Sequence, residues 1–232
     1  LAMGAPLSAV MAFWLASPLI DPPSLMITAA ALGWHFAIGK AVLAVAIGLA
    51  GGFAMQAALR GGLFQNPLRE RPASGCGCGP SPLSGTPMWR FWTERARREV
   101  FAREAFNNAY FLFKWLTLAY LIESLMIRYI PAEAIVAVVG GDGVLPIVLS
   151  ALVGVPAYLN SYAAPALVSG LTEQGMSAGA AMAFMVAGAV SSIPAMTAVF
   201  ALVKRQVFAA YVVLGLSGAV LSGIAYGVVA GL

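Results

Sequence analysis

The sequence predicts an all-α fold: a polytopic helical membrane protein made of two inverted repeats with broken helices. Three observations carry that reading. Of 232 residues, 61% are hydrophobic and 9% charged, against about 25% charged in an ordinary soluble domain, and mean hydropathy is +0.88. So few charges cannot cover the surface of a soluble domain of this length. Several apolar stretches run to about 20 residues, the length that crosses a hydrocarbon core about 30 Å thick. Finally, a segment near the N-terminus recurs in altered form near the C-terminus.

The first stretch, Leu1–Leu32, is interrupted. In "MAFWLASPLIDPPS" (11–24) a span-grade helix acquires Ser17, Pro18, Asp21, Pro22 and Pro23. Proline removes a helical hydrogen bond and clashes with the preceding turn. In lipid the freed carbonyls meet no water, so such a break persists only where protein or a wet cavity satisfies it. Asp21 adds about 2.5–3.5 kcal/mol if it sits at a helix centre. The break should therefore face an internal cavity, which makes Ser17, Pro18, Asp21 and Pro22 candidate substrate-binding residues. Phe36–Leu59 follows as a continuous span, with His35 beside Trp34 at its interface.

Residues 1–59 then form a first, partial repeat, 60–105 a basic linker with an amphipathic helix, and 106–232 a second repeat with its preceding span. Eight of the thirteen Lys and Arg lie between Arg60 and Arg103, which places the linker in the cytoplasm by the positive-inside bias. A basic juxtamembrane loop is ordinary in a membrane protein, so no nucleic-acid partner is inferred. Gly61–Pro87 is rich in Gly, Pro and Ser. Within it Cys76 and Cys78, in "SGCGCGPS", have the thiol chemistry for a soft metal or trivalent arsenic. Two thiolates are only half of a tetrahedral zinc site, and the plain alternative is a reduced loop with incidental cysteines. Next, Trp89, Trp92, Ala96 and Val100 recur at helical spacing among arginines. They mark either a helix on the membrane surface or the start of one long helix.

Phe106–Ile130 reads as a span in which Lys114 can snorkel. Glu123 lies deeper. An ionisable group at that depth is a functional candidate, so Asp21 and Glu123 are candidate proton carriers; the alternative for Glu123 is that it caps a neighbouring broken helix. In Val144–Leu171, Pro156 and Pro165 bracket a polar cluster of Tyr158, Asn160, Ser161 and Tyr162. It is either a hairpin reaching into the membrane or an unwound helix, and Asn160, Ser161 and Tyr162 are candidates for the second half of the binding site. Ala178–Val203 is interrupted at Ser191, Ser192 and Pro194, and Gln206–Leu232 is continuous.

Gly4–Pro23 and Gly175–Pro194 share seven of twenty residues, including Met-Ala-Phe at 11–13 and 182–184. After a gap of a few residues, "GLAGG" (48–52) matches "GLSGA" (215–219). Each unit is thus a broken helix followed by a continuous one. Phe36–Leu59 ends at the basic linker, and Gln206–Leu232 begins beside Lys204 and Arg205. If both charged ends are cytoplasmic the units have opposite orientation, the architecture of many secondary transporters. Ser191 and Ser192 join the candidate site as the second break.

"MAFWLASPLIDPPSL", "GVPAYLNSYAAPALVSGL" and "GMSAGAAMAFMVAGAVSSIPAM" together resemble the predicted permease family of bacterial inner-membrane proteins that includes the organoarsenical permeases. The resemblance covers nearly the whole chain apart from the linker. It implies an efflux-type permease with its substrate site between the repeats, linked in some branches to organoarsenical or metal-related efflux. The family pattern also carries a Pro- and Cys-rich motif ahead of the first broken helix. This sequence begins at Leu1 without it, so the chain is expected to lack N-terminal helices of the family.

The resulting expectation is a bacterial inner-membrane permease, not an enzyme, that exports a small solute such as a metalloid. It needs no cofactor; its partners are the lipid bilayer and the solute, and a homo-oligomer is compatible. Two alternatives stand beside it. Asp21, "VGGDG" around Asp142 and "PAL" at 165–167 resemble in order the presenilin-type intramembrane aspartyl proteases, though Val139 and Ile20 depart from that pattern. A non-transporting membrane assembly protein would not need polar, broken spans.

Overall fold

The computed structural model describes residues 5–64, 67, 91–129, 138–141, 143–157, 164–192, 196, 199–200 and 202–231. Among them the fold is all-helical, with one isolated bridge pairing Gly141 and Met176. The helices are α1 (Leu7–Ala16), α2 (Pro22–Leu32), α3 (Trp34–Arg60), α4 (Arg95–Tyr129), α5 (Val144–Ala157), α6 (Ala164–Glu173), α7 (Ala178–Val190) and α8 (Arg205–Ala230). Residues 1–69 and 122–232 make one compact unit, and 70–121 a second.

Among the described residues two helices are long and apolar enough to cross a membrane. They are α3 and α8, with 27 and 26 residues and a hydropathy of 2.0 each. At 1.5 Å per residue each is about 40 Å long. Leu7–Leu19 and Pro22–Leu32 make up one more span if counted together, bent by 44° at the break. After α2 the chain reverses at Gly33, whose φ of +87° suits only glycine, and α3 starts at once.

The packing order fixes helix directions. A Cβ on Gly52 would meet Ser8 and Ala12, and one on Gly48 would meet Ala12 and Ala16; α1 and α3 are antiparallel. Gly179 lies against Gly223 and Gly227, while Val190 lies against Gly215; α7 and α8 are antiparallel as well. Phe36 and Gly39 meet Tyr226, and Ile47 meets Gly218. So α3 and α8 also run in opposite directions. Arg60, ending α3, and Arg205, opening α8, therefore belong to the same side of the bundle.

The helix starts keep a constant offset. Leu7 and Ala178 open α1 and α7, and Trp34 and Arg205 open α3 and α8, 171 residues apart in both cases (178 − 7 and 205 − 34). The close approaches keep it too: Ser8, Ala12 and Gly52 on α1 and α3 correspond to Gly179, Ala183 and Gly223 on α7 and α8. No gap is needed between the helices of a unit. The match of 48–52 to 215–219 is thus one turn away from the register that the contacts keep.

Helices α5 and α6, with 14 and 10 residues, are about 21 and 15 Å long, too short to cross about 30 Å. The bridge between Gly141 and Met176 brings the chain back to the level at which it left. Ile147 meets Gly179 and Gly154 meets Phe184, so α5 lies parallel to α7 and α6 is the return leg. The polar cluster at 158–162, expected as either a hairpin or an unwound helix, lies outside the described residues. On its way back α6 packs on α2, where the Ser169 hydroxyl donates to the Ala31 carbonyl at 3.2 Å.

In 70–121 and beyond, α4 is a single helix of 35 residues, so the amphipathic segment from Arg95 is the start of a long helix. Its first turns are exposed and carry ion pairs Arg95–Glu99 and Arg97–Glu94 at 3.0 and 2.6 Å. Such exposed pairs contribute about 0.3–0.5 kcal/mol each.

Candidate functional site

The first break closes its own hydrogen bonds. Asp21 has extended backbone and caps α2: its Oδ2 accepts from the Ser24 amide at 3.1 Å, and its carbonyl accepts from Leu25 at 3.0 Å. The two residues between, Pro22 and Pro23, have no amide hydrogen. A helix start normally leaves four amides without partners; here two are absent by residue choice, that of Ser24 is taken by the Asp21 carboxylate, and Leu25 makes the first ordinary helical bond. Proline is favoured at the first helical position for this reason. The segment "DPPS" is thus a helix start at which three of the four end amides are removed by proline or taken by the Asp21 side chain, an economy that suits the interior of a membrane.

One turn further, Ser24 and Thr28 lie on the same face of α2, four residues apart, and both are buried. Lys40 of α3 reaches them across the Gly33 turn. Its Nζ donates to Ser24 Oγ at 3.0 Å and to Thr28 Oγ1 at 2.9 Å, and the Thr28 hydroxyl donates to the Ser24 carbonyl at 2.7 Å. Lys40 is 1% exposed. It lies seven residues, about 10 Å, from the helix midpoint at Ile47, well inside a hydrocarbon half-thickness of about 15 Å. A lysine near a span end usually extends its ammonium to the interface; this one points inward. Among the described residues no carboxylate lies within ion-pairing distance of it. Asp21 is the carboxylate whose charge acts on it through the intervening turn.

The second break is closed by hydroxyls. Ser191 Oγ donates to the Ala187 carbonyl at 2.7 Å, and the Tyr211 hydroxyl of α8 donates to the Val190 carbonyl. The Ala187 carbonyl also takes the Ser191 amide at 3.0 Å, whereas the residue whose amide would reach Val190 in a continued helix is Pro194, which has none. A cavity of about 40 Å³ opens here, lined by Ser191, Val190, Tyr211, Met196 and Gly215 among others.

The two breaks are neighbours. The 3-10 turn Ser17–Leu19 packs on α7, Trp14 meets Tyr211 edge-on with ring centroids 6.3 Å apart, and Leu15 packs against Gly215. Of the residues expected to line a site, Ser191 is buried, Pro18, Asp21 and Ser192 are half-buried, and Ser17 and Pro22 are exposed. Asn160, Ser161, Tyr162, Cys76, Cys78 and Asp142 lie outside the described residues, as does the side chain of Glu123. His35 is exposed beside exposed Trp34. Among the described residues no three of His, Cys, Asp and Glu come close enough to share a metal ion. Sequence reasoning missed Lys40, Ser24, Thr28 and Tyr211. A signal existed for the first three: a lysine away from both ends of a span, preceded by Ser and Thr four residues apart in the adjoining half-helix.

These features define a class: a helical membrane protein with a proline-broken span packed against continuous ones and polar groups collected at the breaks. Residues 1–228 match a family described as predicted permease, and the chain belongs to that family. No curated protein and no solved structure matches it.

Proposed function

We propose that the protein is a permease that exports a small solute, a metalloid or metal-related compound, across the bacterial inner membrane by alternating access. Membership of a permease family supports transport as the general activity. The observation that carries the mechanism is the meeting of two broken helices from oppositely directed units, at Trp14 and Tyr211. Units related by a two-fold axis in the membrane plane can exchange conformations and so expose one site to either side in turn. Two features support such an axis. The offset of 171 residues recurs in both helices of a unit, and Ile47 of α3 touches Gly218 of α8, its own counterpart under that offset. Equivalent residues touch where a two-fold axis passes.

In this reading Ser17, Pro18, Asp21, Pro22, Ser191 and Ser192 border the solute path from the two breaks, and Asn160, Ser161 and Tyr162 contribute to it. Asp21 and Glu123 are candidates to carry protons, and Cys76 and Cys78, on the cytoplasmic side with the basic linker, are a first capture point for a thiophilic solute. The resemblance to organoarsenical permeases makes trivalent arsenic the first probe. Everted vesicles bearing the full-length protein should accumulate methylarsenite several-fold over vesicles lacking it when energised. Equal uptake in both would remove arsenic as the solute, and equal uptake across a panel of metalloids and metal ions would remove export of this class.

A further inference from the structure

We propose that Lys40, held between Ser24 and Thr28, is a proton-binding site of the transport cycle. The inference deepens the permease reading and rests on it. The observation is a buried lysine in a span with hydroxyls, not carboxylates, as its partners.

The chemistry of those partners decides what the site can do. A carboxylate can only accept hydrogen bonds, so a lysine paired with one is held as the ammonium. A hydroxyl both donates and accepts. With Lys40 as ammonium, Ser24 Oγ and Thr28 Oγ1 both accept from it at 3.0 and 2.9 Å. With Lys40 as amine, the Ser24 hydroxyl turns to donate to the nitrogen lone pair, while the amine still donates to Thr28 Oγ1. Thr28 keeps its own bond to the Ser24 carbonyl in both states. The pocket therefore satisfies either form without moving a helix. The step is R–NH3⁺ to R–NH2 plus a proton, with no bond between heavy atoms changed. A purely structural pin between α2 and α3 has no use for this versatility, and in a water-free setting an apolar side chain packs as well as an uncompensated charge. Buried lysine is also the basic side chain that changes protonation most readily, whereas arginine does not.

The surroundings are sparse in competing groups. On the elements packed against α3, the ionisable residues are Asp21 ahead of α2, and Arg205, Tyr211 and Tyr226 on α8. Helices α1 and α7 and the 3-10 turn carry none, and α3 itself adds His35 and Arg60 at its ends. Among the described residues of these elements Asp21 is the only carboxylate, and its Oδ2 is engaged by the cap of α2. A proton leaving Lys40 has Asp21 as its next ionisable group on the way to the break.

The test reads the amine directly. The full-length protein, labelled with [ε-13C]lysine in lipid nanodiscs, gives a Lys40 signal identified by its loss in Lys40→Arg. If that variant does not insert, Thr28→Val identifies the signal by displacing it. The expected result is reversible movement between the ammonium and amine positions across the physiological pH range, with a changed midpoint in Thr28→Val. A signal fixed at the ammonium position throughout overturns the proposal. A second arm uses proteoliposomes and methylarsenite. Lys40→Arg, which keeps the charge but cannot release it, should lose accumulation driven by a pH gradient by about tenfold and keep equilibrium exchange. Wild-type accumulation by Lys40→Arg overturns the proposal as well. If the wild type moves no methylarsenite, the solute reading fails, and the spectroscopic arm still decides the proton site.

Discussion

Asp21 caps α2 through one carboxylate oxygen, and its backbone carbonyl takes the next amide. Two roles are therefore superposed on one residue, cap and charge, and substitution separates them. Asn caps as well as Asp, whereas Ala forfeits about 1 kcal/mol. Asp21→Asn should melt within error of wild type in detergent, and Asp21→Ala should melt lower; both should reduce transport if the charge borders the solute path. Wild-type transport by Asp21→Asn would leave Asp21 with the cap alone. The glycines give a second contrast. A Cβ on Gly223 would fall 2.6 Å from the Gly179 carbonyl and 2.8 Å from Ala183, whereas one on Gly170 meets nothing within 4 Å. Gly223→Ala should destabilise by about 1–3 kcal/mol and Gly170→Ala by no more than about 0.5 kcal/mol, read as thermal unfolding of the purified proteins. At this scale the sequence announces Asp21, because a charge among prolines in an apolar run has no bland place to go. It hides Lys40, because a lysine's partners depend on which way it points. Here they lie 12 and 16 residues back, across a turn whose sharpness rests on the positive φ of Gly33.

The elements that read most clearly are α3 and α8, since long uninterrupted apolar runs leave little choice of structure. Their observed bounds, Trp34–Arg60 and Arg205–Ala230, lie within two residues of those expected. The break in the first span was legible from Pro18, Pro22 and Pro23. How the breaks are closed was not, because it depends on side chains brought in from other helices. Ser191 and Tyr211 close the second one. Tyr211→Phe removes the donor to the Val190 carbonyl and leaves it buried beside a small cavity. The expected cost is about 1–3 kcal/mol, reduced if water enters, and increased hydrogen exchange in the last turn of α7 would report it. Unchanged stability and exchange would mean that the Val190 carbonyl finds another donor. The hairpin α5–α6 could not be told from an unwound helix in the sequence, since both place Pro156 and Pro165 alike. The close approach of Gly154 to Phe184 and of Ile147 to Gly179 sets α5 parallel to α7.

On the scale of the whole molecule, charge bias and helix direction point the same way by independent routes. Positive residues at Arg60 and at Lys204–Arg205 suggest a common cytoplasmic side, and the antiparallel contacts of α3 and α8 place those ends together. The proposed repeat is suggested in sequence by its broken helices. Its register in the second helices is harder to read, because only Val42, Leu43, Gly52 and Ala54 recur there at the offset of 171, and such residues recur every few positions in both. The central claim, two units facing opposite ways across the membrane, is tested most directly by sidedness labelling. Single cysteines at Gly61, Lys204, Trp34 and Gly231, in a full-length background with Cys76 and Cys78 replaced by Ser, would be exposed to an impermeant maleimide in right-side-out and in everted vesicles. Gly61→Cys and Lys204→Cys should label only in everted vesicles, and Trp34→Cys and Gly231→Cys only in right-side-out ones. Labelling of Gly61→Cys and Lys204→Cys from opposite sides would contradict the account.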